Sequence, residues 1–439
     1  MSIDIPDHFH IPVSGRTISY PAEPGTEYNV DNCITTPFSH KNPIIRKHSD
    51  ASLYFPPAPC ETPFRNAFFH GRYGRCRVNP GAHIAYLKRY WRRNRFVFGS
   101  GFTVRRFLNF MLAERESKWM SVKVHSRPWD MFIDPINSCP LKCPLCATGM
   151  RLHGRKQMML SLDKYRRYLD QVAPWLYRVR LFNYGEPLLN PAVFDMIAYA
   201  KSKKLIVQIN SNLNIWRDEF ADRLVTSGLD TLIIAFDGLS QETYSAYRIE
   251  GDVAKVKHAV EAVAAAKKRL ASNSPELILQ FLMQKKNEHE YDGVKAYAER
   301  IGAVFSPQPL TFDITDAAQR TEWLPDDNAK SHYNRELYSR KKLRPETRCG
   351  FLWNLPVINV DGGISPCCHV FFGSTDFGSL EQDSFKTIWN NAAFREARRI
   401  QRKRRTSDAA IVCNRCINEA AFTDAQFDLT NEYRSNLLR

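Results

Sequence analysis

The chain has 439 residues, 44% of them hydrophobic, a formal charge of +16 and 11 cysteines. That size and apolar content support a large core in roughly two or three domains and exclude a wholly disordered chain or a small disulfide-stapled one. No positively charged start leads into a short apolar run and no apolar stretch reaches bilayer length, so the expected protein is soluble, unexported and cytoplasmic, with no membrane span.

Residues 1–80 are rich in Pro, Asn, Ser and aromatics without a sustained period, which predicts an irregular extension with a few short strands. Ile84, Leu87 and Trp91 then recur at helical spacing, and Val104, Phe107, Leu108, Met111 and Leu112 repeat the pattern. Both stripes are expected to pack on the domain C-terminal to them. Basic residues concentrate in two places, Lys88 to Arg95 and Arg395 to Arg405. A solvated helix face is the ordinary meaning of such runs, so a nucleic-acid partner is not expected, and an acidic substrate, a leader peptide or a reductase would use the same charge.

From Trp129 to Pro309 strand and helix patterns alternate. Strands are predicted at Met131–Asp134, Val179–Asn183, Leu205–Asn210, Thr231–Phe236, Leu277–Met283 and Ala303–Phe305. Helices are predicted at Leu162–Leu169, Pro191–Lys203, Glu219–Ser227, Val253–Leu270 and Glu288–Ile301. That order implies an α/β fold with a parallel sheet, closed or half-closed by right-handed crossovers, whose ligands sit at the C-terminal strand ends.

Just past the first strand the run Cys-Pro-Leu-Lys-Cys-Pro-Leu-Cys carries Cys139, Cys143 and Cys146. Three thiolates on one short loop can face a single centre but leave a coordination position open. A lone triplet without a fourth Cys nearby points to an iron-sulfur cluster with one free iron, since structural zinc usually closes its shell with paired Cys-x-x-Cys units.

The spacing resembles the signature of the radical S-adenosylmethionine (radical SAM) superfamily. The resemblance implies a 4Fe-4S cluster held by Cys139, Cys143 and Cys146, with SAM chelating the fourth iron and yielding a 5'-deoxyadenosyl radical on reduction. It also implies a partial (β/α)6 TIM-like barrel and a flavodoxin- or ferredoxin-type reductant. Leu145 stands where relatives more often carry an aromatic. At the second strand end, Tyr184-Gly185-Glu186-Pro187 resembles the family's Gly-Gly-Glu motif, with Tyr184 in place of the first Gly, so that Gly185 and Glu186 would meet the SAM amino group. Ser211 and Asn212 are similar to groups that meet the ribose, and Arg248 to an Arg that pairs with the SAM carboxylate.

Beyond the repeats, Cys349, Cys367, Cys413 and Cys416 can close a tetrahedral shell, for which zinc and 4Fe-4S are comparable occupants by spacing alone. An Asp361-Gly362-Gly363 turn precedes Cys367. The segment resembles the twitch domain, the shortened SPASM domain, which implies a second, auxiliary 4Fe-4S cluster on these four residues. The expected organisation is therefore an N-terminal extension at 1–120, irregular then helical, the radical SAM partial barrel at 121–310, a connecting segment at 311–348 and a small C-terminal iron-sulfur domain at 349–439. Cys368 is expected to pack beside the auxiliary cluster, while Cys33, Cys60 and Cys76 read as ordinary thiols.

Function is expected to be hydrogen-atom abstraction, with oxidation of an alcohol or carbinol of a small, sugar- or cyclitol-like metabolite as the leading reaction. Modification of a ribosomally made peptide, epimerisation and a non-catalytic zinc or nucleic-acid-binding role are the alternatives. Glu276, His289 and Asp313 are the candidate general bases, and nothing in the sequence separates them from surface groups.

Overall fold

Runs of β-branched and aromatic residues bounded by turn residues become strands close to where the sequence predicts them. The computed structural model describes residues 10–13, 16–19, 94–151, 154–310, 317–327 and 349–414. The chain divides into two units, Met1–Arg77 and Val78–Arg439. In the first, β1 (His10–Val13) and β2 (Arg16–Ser19) form an antiparallel hairpin with Ile11 opposite Ile18. Residues 84–93, where the first helical stripe is predicted, lie outside the described residues.

In the second unit, a 3-10 turn (Arg95–Phe98) precedes α1 (Val104–Lys118), which is capped by the Thr103 side chain. Its orientation differs from the predicted one. Val104, Leu108 and Met111 are 65%, 60% and 48% exposed, and the inner face is made of Arg106, Asn109, Phe110, Ala113 and Glu116. Polar bonding decides the face. Arg106 donates to the carbonyls of Gly101, Ala173, Lys203 and Lys204, and Glu116 accepts from the His125 and Ser126 amides. Satisfying those buried carbonyls outweighs burying three aliphatic side chains.

Six parallel strands follow in chain order: β3 (Asp130–Ile133), β4 (Arg178–Arg180), β5 (Ile206–Ser211), β6 (Thr231–Ala235), β7 (Glu276–Met283) and β8 (Val304–Pro309). Between them run α2 (Leu162–Asp170), α3 (Val193–Ser202), α4 (Glu219–Thr226), α5 (Gln241–Ser245), α6 (Val253–Arg269) and α7 (Tyr291–Arg300). The helix predicted at Glu288–Ile301 divides into a 3-10 turn, Glu288–Glu290, and α7. Asp252 caps α6 by accepting from the Ala254 and Lys255 amides, and Val256, Val260 and Val263 form its buried stripe.

Side-chain alternation sorts the sheet into two faces. Val207, Ile209, Leu232, Ile234, Leu277 and Leu279 join the large core shared with the helices. The opposite, inner face mixes polar side chains with the buried Phe132, Ile233 and Ile278. Asp130 binds Arg178 and Arg180 there, Gln208 donates to Thr231, Asn210 reaches over β6 to Gln280 at 3.1 Å, and Gln308 donates to Ser306.

The sheet does not end with these six strands. After α8 (Ala317–Trp323) and the short α9 (Phe351–Asn354), β9 (Val357–Ile358) pairs in parallel with β3, and β10 (Ile364–Ser365) pairs antiparallel with β9. The C-terminal hairpin thus continues the barrel sheet, in the order β10-β9-β3-β4-β5-β6-β7-β8. The turn predicted at Asp361-Gly362-Gly363 closes it, with Gly362 at φ +86°. Then come α10 (Phe385–Ile388) and α11 (Ala392–Lys403), whose buried Arg398 donates to the carbonyls of Leu352 and Trp389. Among the described residues no helix is long and apolar enough to cross a membrane.

Candidate functional site

The cysteine loop leaves the C-terminal end of β3 and is tied at both ends. The Asn137 side chain donates to the Lys156 carbonyl and accepts from the Met158 amide, fastening the start of the loop to its return. Within it the Cys146 amide donates to the Cys143 carbonyl, and Gly149 lies so close that an added Cβ would fall 2.5 Å from that same oxygen. Cys139, Cys143 and Cys146 therefore share one short, internally bonded turn.

The sulfurs face donors. The Leu141 amide and Asn212 Nδ2, at 3.5 Å, point at Cys139, and Arg248 Nη1 lies 3.7 Å from the Cys143 sulfur. Burial pushes the Cys139 thiol up to about 12 and raises Cys143 as well, so deprotonation requires a cation in place of the proton. Three thiols on one turn with a fourth position open suit an iron-sulfur cluster, one iron to each thiolate.

The strand-end residues gather around the loop, with duties that the sequence only partly reveals. Gly185 takes φ +98°, and an added Cβ would fall 2.2 Å from the Ile136 carbonyl oxygen, so the close approach it permits here is to the cysteine loop itself. Glu186 is 1% exposed. Its carboxylate accepts from Ser211 Oγ at 2.7 Å, the Asn212 amide at 2.8 Å and the Leu188 amide at 3.1 Å, while its own amide donates to the Ser138 carbonyl. In this structure Glu186 braces the end of β5 against the loop. Asp237 holds Arg248 Nε at 2.5 Å and accepts from the Leu282 amide. That leaves the far side of the Arg248 fork directed toward Cys143.

Of the candidate bases, Glu276 begins β7 at the strand end opposite the loop, and His289 lies on the surface beside Thr243. Asp313 is outside the described residues. The residue that sequence reasoning missed is Asp134, which directly follows β3. It is 2% exposed, its Oδ2 accepts weakly from the Tyr184 amide, and its Oδ1 has no partner. Burial raises its carboxyl well above the ordinary value, against the pull of the Tyr184 and Ile136 amides and Arg155. The folded state thus holds this proton where the unfolded chain has released it, and stability falls as pH rises above about 4 toward the folded value. Asp134→Asn should remove that penalty, gaining about 1–3 kcal/mol at neutral pH and nothing below pH ~4. Urea unfolding at the two pH values measures it.

The second cysteine set belongs to the segment that adds β9 and β10 to the sheet. Cys349 precedes α9, with the Phe351 and Leu352 amides aimed at its sulfur, Cys367 follows β10, and Cys413 sits in a 3-10 turn, Val412–Asn414. Cys416 is outside the described residues, as are Cys33, Cys60 and Cys76. Amides directed at an enclosed thiol suit a cluster ligand. Cys368 packs with Phe132, Val357, Leu355, Phe182 and Phe351. Arg155 fastens the two sites together. It lies just past the first loop, and its guanidinium binds Asp361, Asp376 and the Phe371 carbonyl of the C-terminal segment.

Residues 133–289 match the radical SAM superfamily model, and residues 349–417 match the SPASM iron-sulfur cluster-binding domain. The chain carries a radical SAM domain followed by a SPASM domain. As a radical SAM protein with a SPASM domain it takes 4Fe-4S clusters and SAM as cofactors. It is similar to the AdoMet-dependent heme synthase of Methanosarcina barkeri, 27% identical over 110 residues that cover 25% of this chain and 31% of that protein. It is also similar to the tungsten-containing aldehyde ferredoxin oxidoreductase cofactor-modifying protein of Pyrococcus furiosus, 20% identical over 295 residues, 60% of this chain and 81% of the relative. The match thus spans about a third of the heme synthase. Among solved structures, Streptococcus suis SuiB bound to precursor peptide SuiA shares the fold at a TM-score of 0.50 and 13% identity, covering 75% of this chain and 78% of SuiB.

Proposed function

We propose that this radical SAM protein oxidises an alcohol or related carbinol of a small, polyhydroxylated metabolite. The observation that supports this reading is the continuity of the sheet from the three-cysteine loop to the segment that carries the C-terminal cysteines, an arrangement suited to an electron acceptor near a radical source. When bound, SAM and its cluster would supply the radical chemistry that removes a substrate hydrogen atom, and a cluster on the second cysteine set would supply a one-electron acceptor, the hydroxyl proton of the carbinol passing to solvent. Cys139, Cys143 and Cys146 hold the first cluster, and Cys349, Cys367, Cys413 and Cys416 the second.

The chain's own groups shape what enters. Arg248, fixed by Asp237, offers a fork to the SAM carboxylate. Asn210 and Gln280 on the inner face are half-buried, neutral and paired with each other, and such amides exchange readily with the hydroxyls of a sugar or cyclitol. This polar, neutral pair supports a small hydroxylated substrate over an apolar one.

Iron, sulfide and 5'-deoxyadenosine test the reading. Anaerobically reconstituted protein should hold about eight irons and cleave SAM on reduction. The Cys139/Cys143/Cys146 triple Ala variant should keep about four and form no 5'-deoxyadenosine. A candidate polyol should yield one carbonyl product per 5'-deoxyadenosine. Zinc in place of iron, or no 5'-deoxyadenosine from the wild type, would overturn it.

A further inference from the structure

Tyr184, which follows β4 and stands in place of the first glycine of the motif it resembles, lies where the two cysteine segments meet. Its neighbours on the chain contact the first loop. Gly185 lies against the Ile136 and Ser138 carbonyls, and the Glu186 amide donates to the Ser138 carbonyl at 2.8 Å. The side chain turns the other way. Its hydroxyl donates to the Cys368 carbonyl at 3.0 Å, and its ring meets Phe371 edge-on at 4.8 Å between centroids. Phe371 in turn accepts from Arg155 through its carbonyl. One residue thus bonds the first loop through its own stretch of backbone and the second through its phenol.

We propose that Tyr184 is a positioning residue shared by the two sites, whose hydroxyl fixes the Cys367–Cys368 backbone and so sets the redox potential of the auxiliary centre. The role rests on the two-cluster reading above. By holding the carbonyl of the residue next to Cys367, the hydroxyl fixes that ligand's backbone and with it the donors that face the sulfurs; hydrogen bonds to the sulfurs favour the more negatively charged, reduced state and are among the main levers on cluster potential. Glycine at this position offers neither the donor nor the ring that seats Phe371. This substitution gives the chain a direct side-chain tie between the sites.

The test uses full-length protein reconstituted with iron and sulfide, in the Cys139/Cys143/Cys146 triple Ala background that leaves the auxiliary centre alone. An EPR-monitored redox titration reads its midpoint potential with and without Tyr184→Phe. The expected result is a shift to a more negative midpoint with altered g-values at unchanged iron content. Site-specific 3-fluorotyrosine at 184, a stronger donor of nearly the same size, should move the midpoint the opposite way and decides the matter if the Phe variant fails to load. A loaded centre whose potential and g-values are the same in all forms overturns this role alone. A triple Ala protein that retains no iron overturns the two-cluster reading and this role with it.

Discussion

Arg155→Met should lower the stability of the protein by about 3–5 kcal/mol, the largest loss expected of any single side-chain substitution described above. The Arg155 side chain is 2% exposed and makes ion pairs at 2.8 Å with Asp361 and 2.5 Å with Asp376, along with bonds to the Phe371 carbonyl and Ser365. Asp376, itself 11% exposed at the side chain, would keep a buried carboxylate without its cation. Burial already raises the Asp376 carboxyl despite the arginine, so the group has little other support. Arg155→Lys should recover only part of the loss, because an ammonium cannot reach two carboxylates and a carbonyl with the geometry of a planar fork. Urea unfolding gives the free energy, and limited proteolysis near residues 361–376 shows whether the damage is local. A Met variant within about 1 kcal/mol of wild type would mean that the paired carboxylates find solvent instead.

Gly185→Ala should cost about 3 kcal/mol or more and should specifically empty the first cluster site. Two penalties combine. The left-handed φ of +98° disfavours any side chain, and the new Cβ would meet the carbonyl oxygens of Ile136 at 2.2 Å and Ser138 at 2.9 Å. Those atoms belong to the backbone that carries Cys139, so relief can come only by moving the loop. The expected reading is a loss of about four irons from about eight, with the auxiliary EPR signal retained and no response to SAM. Gly302→Ala is the control. It has a comparable φ of +71° but nothing within 4 Å of the added atom, and should cost only about 1 kcal/mol with iron unchanged.

Much of the barrel was legible because each strand is a local event. Thr231 to Ala235 is a run of β-branched and aliphatic residues between turns, and Val253 to Arg269 repeats its valines at helical spacing behind an Asp cap. The cysteine spacings were legible for the same reason, since ligands on one loop are neighbours in sequence. What was not legible depends on distant partners. The apolar stripe of α1 pointed to the wrong face because Arg106 is drawn inward by carbonyls at residues 173, 203 and 204. Arg155 reads as one basic residue among many until residues 361 and 376 fold against it. The structure also gives Glu186 a bracing duty among three donors that its motif position did not disclose, and it brings forward Asp134, whose isolation is a property of the packed interior.

The pairing of Phe132 with Val357 also dictates an order of events during synthesis. A strand edge left open templates wrong partners, and β3 keeps one of its edges open until residues 357 and 358 have been made. At ordinary translation rates that interval is on the order of tens of seconds. Throughout it the three thiols of the adjoining loop stand beside an unfinished sheet, exposed to oxidation and to stray metals. A chain cut short before β9 would therefore carry an open strand edge beside its three-cysteine loop.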